Sequence, residues 1–349
     1  MKGVHIENHS DLIGLFEIAE MAGVSPPAVA NWRKRSQDFP KPVADLKSGP
    51  VFLKADVRAW LRKKDKNMST VIASINLKGG VGKTTTTVAV AEMMSAEFNK
   101  RVLVIDLDPQ TNATVMLIGE KKWKVLNGEA HTLARLFQDA LVDPSERLFD
   151  LTKSLQHKVS NVSEVHNVDL LPSSLDLIDV QDRLASMPSG KFYAANPIDI
   201  LKKAIKPIIE NYDYVLVDCP PNLGIITLNG LRIAHGYIIP TIPDVLSTYG
   251  IPQIIKRVGD FSNEIGETIA PFGIVISKFR AQSTLHVNTV RQLRSRGEAP
   301  VFNSVVNEGN SIANSAEFSP VSTLKQKYGY TGQFDTYKAL TNEIMKAAE

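Results

Sequence analysis

Cysteine is nearly absent: one residue, Cys219, in a chain of 349. A single thiol closes no internal disulfide and cannot hold an iron–sulfur cluster, which takes several cysteine thiolates. Cys219 follows an apolar run at Tyr214–Asp218, so it is expected to be a small core residue of a cytoplasmic protein. Long apolar runs are missing too. Nothing approaches the roughly 20 consecutive apolar residues of a membrane span. The start, MKGVHIENHSDLIGLF, has no apolar core followed by a small-residue cleavage site, so no signal peptide is expected. There is no internal repeat and no low-complexity segment. Neither sign of charge dominates, with 40 Lys and Arg against 37 Asp and Glu. What remains is an ordinary globular composition, 43% hydrophobic and 22% charged, long enough for one large domain and one small one.

The charge is unevenly placed. Residues 1–66 hold 12 Lys and Arg against 8 Asp and Glu, and the rest hold 28 against 29. Basicity concentrated in a short module hints at nucleic acid contact. The polar stretch RKKDKNMST, Arg62–Thr70, has no apolar periodicity and marks a boundary. The expectation is therefore one domain over 1–66 and another over 67–349.

In the first, FEIAEMAGVSPPAVANWRKR runs from Phe16 to Arg35. Ile18, Ala19 and Met21 fit a short helix, Ala22-Gly23-Val24 a tight turn, and Ser25-Pro26 the start of a second helix with Val29 and Trp32 on one face. That is helix-turn-helix spacing. Asn31, Arg33, Lys34 and Arg35 are the polar residues offered to DNA. The stretch FPKPVADLKSGPVFLKADVRAWLRKK reads as a hairpin and a short helix carrying Asp56, Val57, Trp60 and Leu61. Over about residues 12–64 the module resembles winged helix-turn-helix domains of the MerR and phage-excisionase kind. A small protein-interaction domain with a solvated basic face is the alternative.

After the boundary, apolar runs at 71–76, 101–106, 168–171, 214–218, 236–240 and 271–277 alternate with helical patterns. Continuous apolar strands separated by helices predict an α/β fold, a mostly parallel doubly wound sheet covered on both faces. Residues 119–130 and 186–197 read as loops.

The first of these strands runs into INLKGGVGKTTTTVAV. In the general phosphate-loop pattern four residues separate a first glycine from Gly-Lys-Ser/Thr. Here that position is Leu77, and Lys78, Gly79 and Gly80 follow. Gly79, Gly80, Val81, Gly82, Lys83, Thr84 and Thr85 still form the cradle: glycines let backbone N–H groups turn to phosphate, and the helix start adds its positive end. Lys83 reaches the β- and γ-phosphates and Thr84 offers a hydroxyl to Mg²⁺. RVLVIDLDPQTNAT puts Asp106 and Asp108 at the end of the next strand, both expected on the nucleotide side by strand alternation. YDYVLVDCPP puts Asp218 at the end of a third.

Lys78–Thr85, DLDPQ at Asp106–Gln110 and LVDCPP at Leu216–Pro221 together resemble the deviant Walker-type ATPases of the ParA/MinD family. LLPSS at Leu170–Ser174 and IIPTIPD at Ile238–Asp244 fit as well, so the resemblance covers about residues 70–349. It implies ATP and Mg²⁺ as ligands and weak intrinsic ATPase activity. It implies that Lys78 is a signature lysine crossing a homodimer interface to the partner's nucleotide. It further implies that Lys83 is the loop lysine, that Thr84, Asp106 and Asp218 serve the metal, and that Asp108 orients the attacking water.

The family includes membrane-bound division regulators, partition proteins, reductases and cluster carriers. One cysteine disfavours the last two. The tail QFDTYKALTNEIMKAAE puts Tyr337, Leu340 and Ile344 on one face without a basic counterpart, which predicts a docked helix rather than a membrane anchor. The partition branch remains. It implies ATP-dependent dimerisation, binding to DNA without sequence preference, hydrolysis stimulated by a ParB-like centromere-binding partner, operator binding by the N-terminal module, and a cytoplasmic, nucleoid-associated location. Arg280, Arg291 and Arg294, with Lys278 and Arg296, are the basic candidates for the nonspecific surface. Two departures stand out. Asn307 and Ser311 occupy positions where relatives carry basic residues, and Thr111 stands where they often carry glycine. Met68 is a candidate internal start that would yield the ATPase without the first module. Two other readings stay open: an ATP-switched regulator of the partition operon, and a positioning ATPase for a protein cargo.

Overall fold

Strand order departs from chain order in the computed structural model, and that departure creates the site. The structure describes residues 12–22, 24–36, 38–64, 69–186, 196–309 and 315–349. Gly23, Met68, Ser311 and most of the expected loop at 186–197 lie outside the described residues. The chain divides into two compact units, a small one of residues 1–68 with 262–268 and 349, and a large one of residues 69–261 and 269–348.

In the small unit, strand β1 (Leu12–Ile13) leads into helices Leu15–Met21 and Pro26–Arg35. An antiparallel hairpin follows, β2 (Ala44–Leu46) with β3 (Gly49–Leu53), and then a helix at Lys54–Lys64. β1 closes the sheet against β3, pairing Leu12 with Leu53; two residues are too few to show a period in the sequence. Ile18, Val29, Phe52, Val57, Trp60 and Leu61 form a core. Phe39 seals it, its ring centroid 4.7 Å from that of Trp60 and 5.5 Å from that of Phe52. Pro26 opens the second helix, and Arg33, Lys34 and Arg35 sit in its last turn, where the helix dipole favours cations.

In the large unit the strands are β4 (Thr70–Ser74), β5 (Val102–Asp106), β6 (Val168–Leu171), β7 (Tyr214–Asp218), β8 (Gly236–Thr241), β9 (Ala270–Phe279) and β10 (Val301–Asn307). They form a seven-stranded sheet in the order β10-β9-β8-β4-β7-β5-β6, every pairing parallel. β5, β7 and β8 are buried along their whole length, which is why they read as unbroken apolar runs. β4 lies at the centre with β7 and β8 as neighbours, although β5 and β6 come between them in the chain. The C-terminal ends of the central strands therefore open a crevice where the order reverses, the usual ligand position in open parallel sheets.

The helix after β4, Lys83–Phe98, is buried nearly all round, from Val88 through Met94. Helices Asn112–Gly128 and Gln333–Ala348 pack on it outside the sheet. Glu92 lies inside this core and is fully satisfied: it accepts from Lys327 Nζ at 2.8 Å, the Tyr328 hydroxyl at 2.6 Å and the Ser160 hydroxyl at 2.7 Å. Helix Gln333–Ala348 buries Tyr337, Leu340 and Ile344. Its Glu343 accepts the N–H groups of Asn303 and Ser304, capping part of the β10 edge.

One expected loop is a helix. Residues 119–128 continue the helix that begins at Asn112. A kink at Gly119 (φ 77°) turns the chain, and the ring of Phe318 sits 2.8 Å from where a Cβ would stand. The kink supplies the glycine and polar residues that mimic a loop in sequence.

Candidate nucleotide site

Residues 75–82 leave β4 and turn back over the sheet end. Asn76 fixes the departure: its side chain donates to Pro240 O at 2.8 Å and accepts the Lys78 N–H at 3.0 Å. Gly80 (φ 74°) and Gly82 (φ 84°) take left-handed backbone, where a side chain would be strained. A Cβ on Gly79 or Gly80 would meet nothing within 4 Å, so the loop borders open space. The cleft beside it holds about 310 Å³ and is lined by Gly79, Lys83, Thr84, Asp108, Gln110 and Lys278 among others.

Lys83 is buried, and burial pushes its ammonium below the ordinary lysine range, an effect that Asp218 and Asp108 partly offset. Its Nζ donates to Lys78 O at 3.3 Å. Asp218 is fully buried opposite it, and desolvation lifts its carboxyl to about 7 despite the nearby Thr84 hydroxyl and Lys83. Thr87 approaches one oxygen of Asp218 at 3.5 Å, while the other has no hydrogen-bond partner. A buried orphan oxygen beside a threonine hydroxyl fits the outer shell of a hydrated cation. Among the described residues no cage of three or more His, Cys, Asp or Glu surrounds it; Mg²⁺ shared with phosphates and water needs none.

The two aspartates after β5 part company. Asp106 ends the strand opposite Asp218, and its carboxylate is taken up by the turn beyond it. It accepts from Thr114 N at 2.8 Å, Thr114 Oγ1 at 2.7 Å and Asp108 N at 3.1 Å. Strand alternation would face both carboxylates the same way, but it stops at Asp106. Asp108 lies in the turn beyond, lines the cleft, and accepts Gln110 N–H at 3.0 Å. Thr111 in that turn has φ 58°, a left-handed conformation that glycine would adopt without strain.

Lys78 does not line the cleft. Its ammonium is held by Ser247 Oγ at 2.9 Å and by the Asp244 carboxylate at 3.3 and 3.4 Å, at the start of helix Val245–Tyr249. Asp244 also caps that helix, accepting Ser247 N–H at 2.7 Å. These partners sit 166 and 169 residues downstream, so only the tertiary fold brings them to the loop.

The DNA-facing candidates fall in separate places. Asn31, Arg33, Lys34 and Arg35 are exposed on the small unit, with Arg33 paired to Asp45 at 3.4 Å. In the large unit Arg280 pairs with Glu308, Arg291 donates to Asn288 at 3.3 Å and Arg294 to Asn303 O at 3.5 Å. Arg291 and Arg294 share a face of helix Thr284–Arg296; Arg280 lies before it, its charge matched by a carboxylate.

No helix among the described residues is long and apolar enough to cross a membrane. A profile of the AAA domain family AAA_31 matches residues 69–270. The chromosome-partitioning ATPase Soj of Thermus thermophilus is 28% identical over 274 residues, 78% of this chain and 94% of that one. The cell division protein PomZ of Myxococcus xanthus is 26% identical over 306 residues, 87% of this chain and 85% of that one. Among solved structures, cobyrinic acid a,c-diamide synthase of Mycobacterium smegmatis with bound ADP and magnesium has the same fold, with a TM-score of 0.60 at 24% identity, covering 80% of this chain and 95% of that one.

Proposed function

The chain belongs to the AAA_31 family of AAA domains and is a P-loop ATPase of the ParA/Soj type; from that premise we propose that it is a partition ATPase, which dimerises on binding ATP, binds DNA in that state and so segregates a plasmid or chromosome. The observation that carries this reading is Lys78, a second loop lysine kept out of its own cleft and held at the rim by Asp244 and Ser247. A cation that does not serve its own phosphates is available to those of a second copy.

In this reading the N–H groups of the loop and the start of helix Lys83–Phe98 hold the phosphates. Lys83 spans the β- and γ-phosphates. The Thr84 hydroxyl and Asp218, through water, would hold Mg²⁺, which would supply positive charge against the phosphates. Asp108 orients the attacking water. Asp106 acts one step back, bracing the turn that carries Asp108 through its bonds to Asp108 N and Thr114. Lys78 from the second copy adds positive charge as it builds on the transferring phosphoryl group; such fingers are worth about 10³–10⁵ in rate.

Lys78→Ala is expected to stay folded and to lose ATP-dependent dimerisation or hydrolysis, read by light scattering and phosphate release. A variant that dimerises and hydrolyses like the parent would remove the reading. Asp108→Ala should accumulate an ATP-bound dimer.

The small unit, on this proposal, is a winged helix-turn-helix domain that binds operator DNA through Asn31, Arg33, Lys34 and Arg35, while Arg291 and Arg294 serve nonspecific binding and a ParB-like protein stimulates hydrolysis. A second reading, a positioning ATPase for a protein cargo, draws on the likeness to PomZ across 87% of the chain. Binding to random duplex DNA and to the chain's own promoter, with ADP and with ATP at stated salt, separates the cases. ATP-dependent binding to random DNA supports DNA-based segregation or positioning. Binding confined to one operator, supported by ADP, indicates a regulator. No promoter binding under either nucleotide favours the cargo reading.

A further inference from the structure

β9 is irregular where it meets the phosphate loop. Its pairing with β10 sets Val305 against Ile276 and then Asn307 against Phe279, so an interval of two residues on β10 faces one of three on β9. The extra residue falls at Ser277–Lys278, and Lys278 takes a left-handed backbone, φ 48°. Glycine is the unstrained choice there, and a lysine held in that region points to a job for its side chain. Bulges next to sites re-aim side chains. Here Lys278 Nζ is turned onto the loop and donates to Gly80 O at 2.8 Å. Ser277 anchors the bulge: its hydroxyl lies 2.7 Å from Val81 O and 3.1 Å from Thr241 O and donates its one proton between these carbonyls.

Lys278 lines the phosphate cleft, and it also lines an adjoining cavity of about 240 Å³ walled by Thr86, Val306, Asn307 and Glu308. Gly82, Thr85, Lys278 and Ala316 are common to both linings. A nucleotide with its terminal phosphates at Lys83 and its nucleoside in the adjoining cavity would pass Lys278 at this junction. A neutral carbonyl is a weaker partner for an ammonium than an ionised phosphate oxygen. The sequence groups Lys278 with cations facing DNA, but the bulge turns it toward the loop.

We propose that Lys278 is a nucleotide-binding residue, exchanging the Gly80 carbonyl for the phosphates nearest the nucleoside and so holding ADP and ATP alike. The inference rests on the nucleotide reading above. It also divides three lysines at the loop: Lys83 and Lys278 serve the chain's own nucleotide, and Lys78 that of the second copy.

The test measures ADP and ATP affinity of the full chain by calorimetry at fixed Mg²⁺ and salt, with Lys278→Gln and Lys278→Gly. Both variants should weaken ADP and ATP by the same factor, about tenfold for one charge-assisted contact. Lys278→Gly should also melt no lower than the parent without nucleotide, because glycine relieves the left-handed strain; weaker binding by an equally stable protein separates binding from scaffolding. Unchanged ADP affinity in both variants overturns the proposal, and so does a loss confined to ATP, which would put the ammonium at the terminal phosphate. A parent that binds neither nucleotide removes the nucleotide reading along with it. A parent that binds ADP, loses it on Lys83→Ala and keeps it in both Lys278 variants removes this inference alone.

Discussion

If Lys78 serves a second copy, as proposed, Asp244 sets how readily it becomes available. The ammonium must leave two carboxylate oxygens and the Ser247 hydroxyl before it reaches another molecule. Lys78 and Asp244 side chains are 38% and 28% exposed, which keeps the pair in the modest range of about 1 kcal/mol or less. Asp244→Asn keeps an oxygen to cap helix Val245–Tyr249 but drops the charge. It should therefore lower the ATP concentration for half-maximal dimerisation by about threefold. Light scattering against ATP titration reads the midpoint; an unchanged or raised midpoint would mean that Asp244 does not hold Lys78 back. The left-handed residues offer a second test. Ala130 (φ 57°) is exposed, so Ala130→Gly removes strain of about 1–2 kcal/mol against a glycine entropy cost of about 0.5–1, a net gain. Thr111→Gly removes similar strain but also a buried methyl worth about 0.8 kcal/mol, so its net change should be close to zero. Urea midpoints of the two variants should rank in that order. The site was legible in sequence wherever its residues were contiguous, as in Lys78–Thr85. Asp244, Ser247 and Lys278 were not, because each reaches the loop from more than 160 residues away.

At the level of elements, helix Lys83–Phe98 ties the phosphate loop to the rest of the large unit. Its inward Glu92 binds Lys327 and Tyr328 on helix Leu324–Tyr328, while Asn161 accepts from Lys327 Nζ at 2.7 Å. Lys327 and Glu92 side chains are 2% and 0% exposed. Glu92→Leu strands a buried ammonium and should cost about 3–5 kcal/mol, whereas Glu92→Leu with Lys327→Met should recover most of that, because removing both charges also removes their desolvation. Denaturant unfolding of the single and double variants decides; a double variant no better than the single would mean the pair is not coupled. Six of the seven large-unit strands were legible as apolar runs because both of their faces are buried. β10 was not: it is an edge strand of mixed burial, with Asn303 and Asn307 exposed, and its pattern breaks the continuous-run rule. The helix over 119–128 was hidden by its own kink, since Gly119 and the charges after it look like a loop until Phe318 is seen packed against the bend. The hairpin and flanking helices of the small unit were legible from turn and cap residues, its two-residue β1 was not.

On the scale of the whole molecule, parallel pairing carries a cost in time. The strand that launches the phosphate loop cannot be completed by its chain neighbours. Thr70 pairs with Tyr214, and the Val71 N–H bonds His235, 164 residues later. A ribosome adding about 5–20 residues per second leaves β4 unpaired for roughly 8–30 seconds. Throughout that interval Val71, Ile72 and Ala73, all buried in the finished sheet, have no partner strand. Nascent chains arrested before Tyr214 should therefore bind no nucleotide and should be held by chaperones or aggregate, while chains released after Thr241 should begin to bind ADP; a translation-arrest series probed with a fluorescent nucleotide checks this. The order of synthesis thus keeps a chain that has already made its phosphate loop from engaging ATP, or a second copy, until most of the sheet exists.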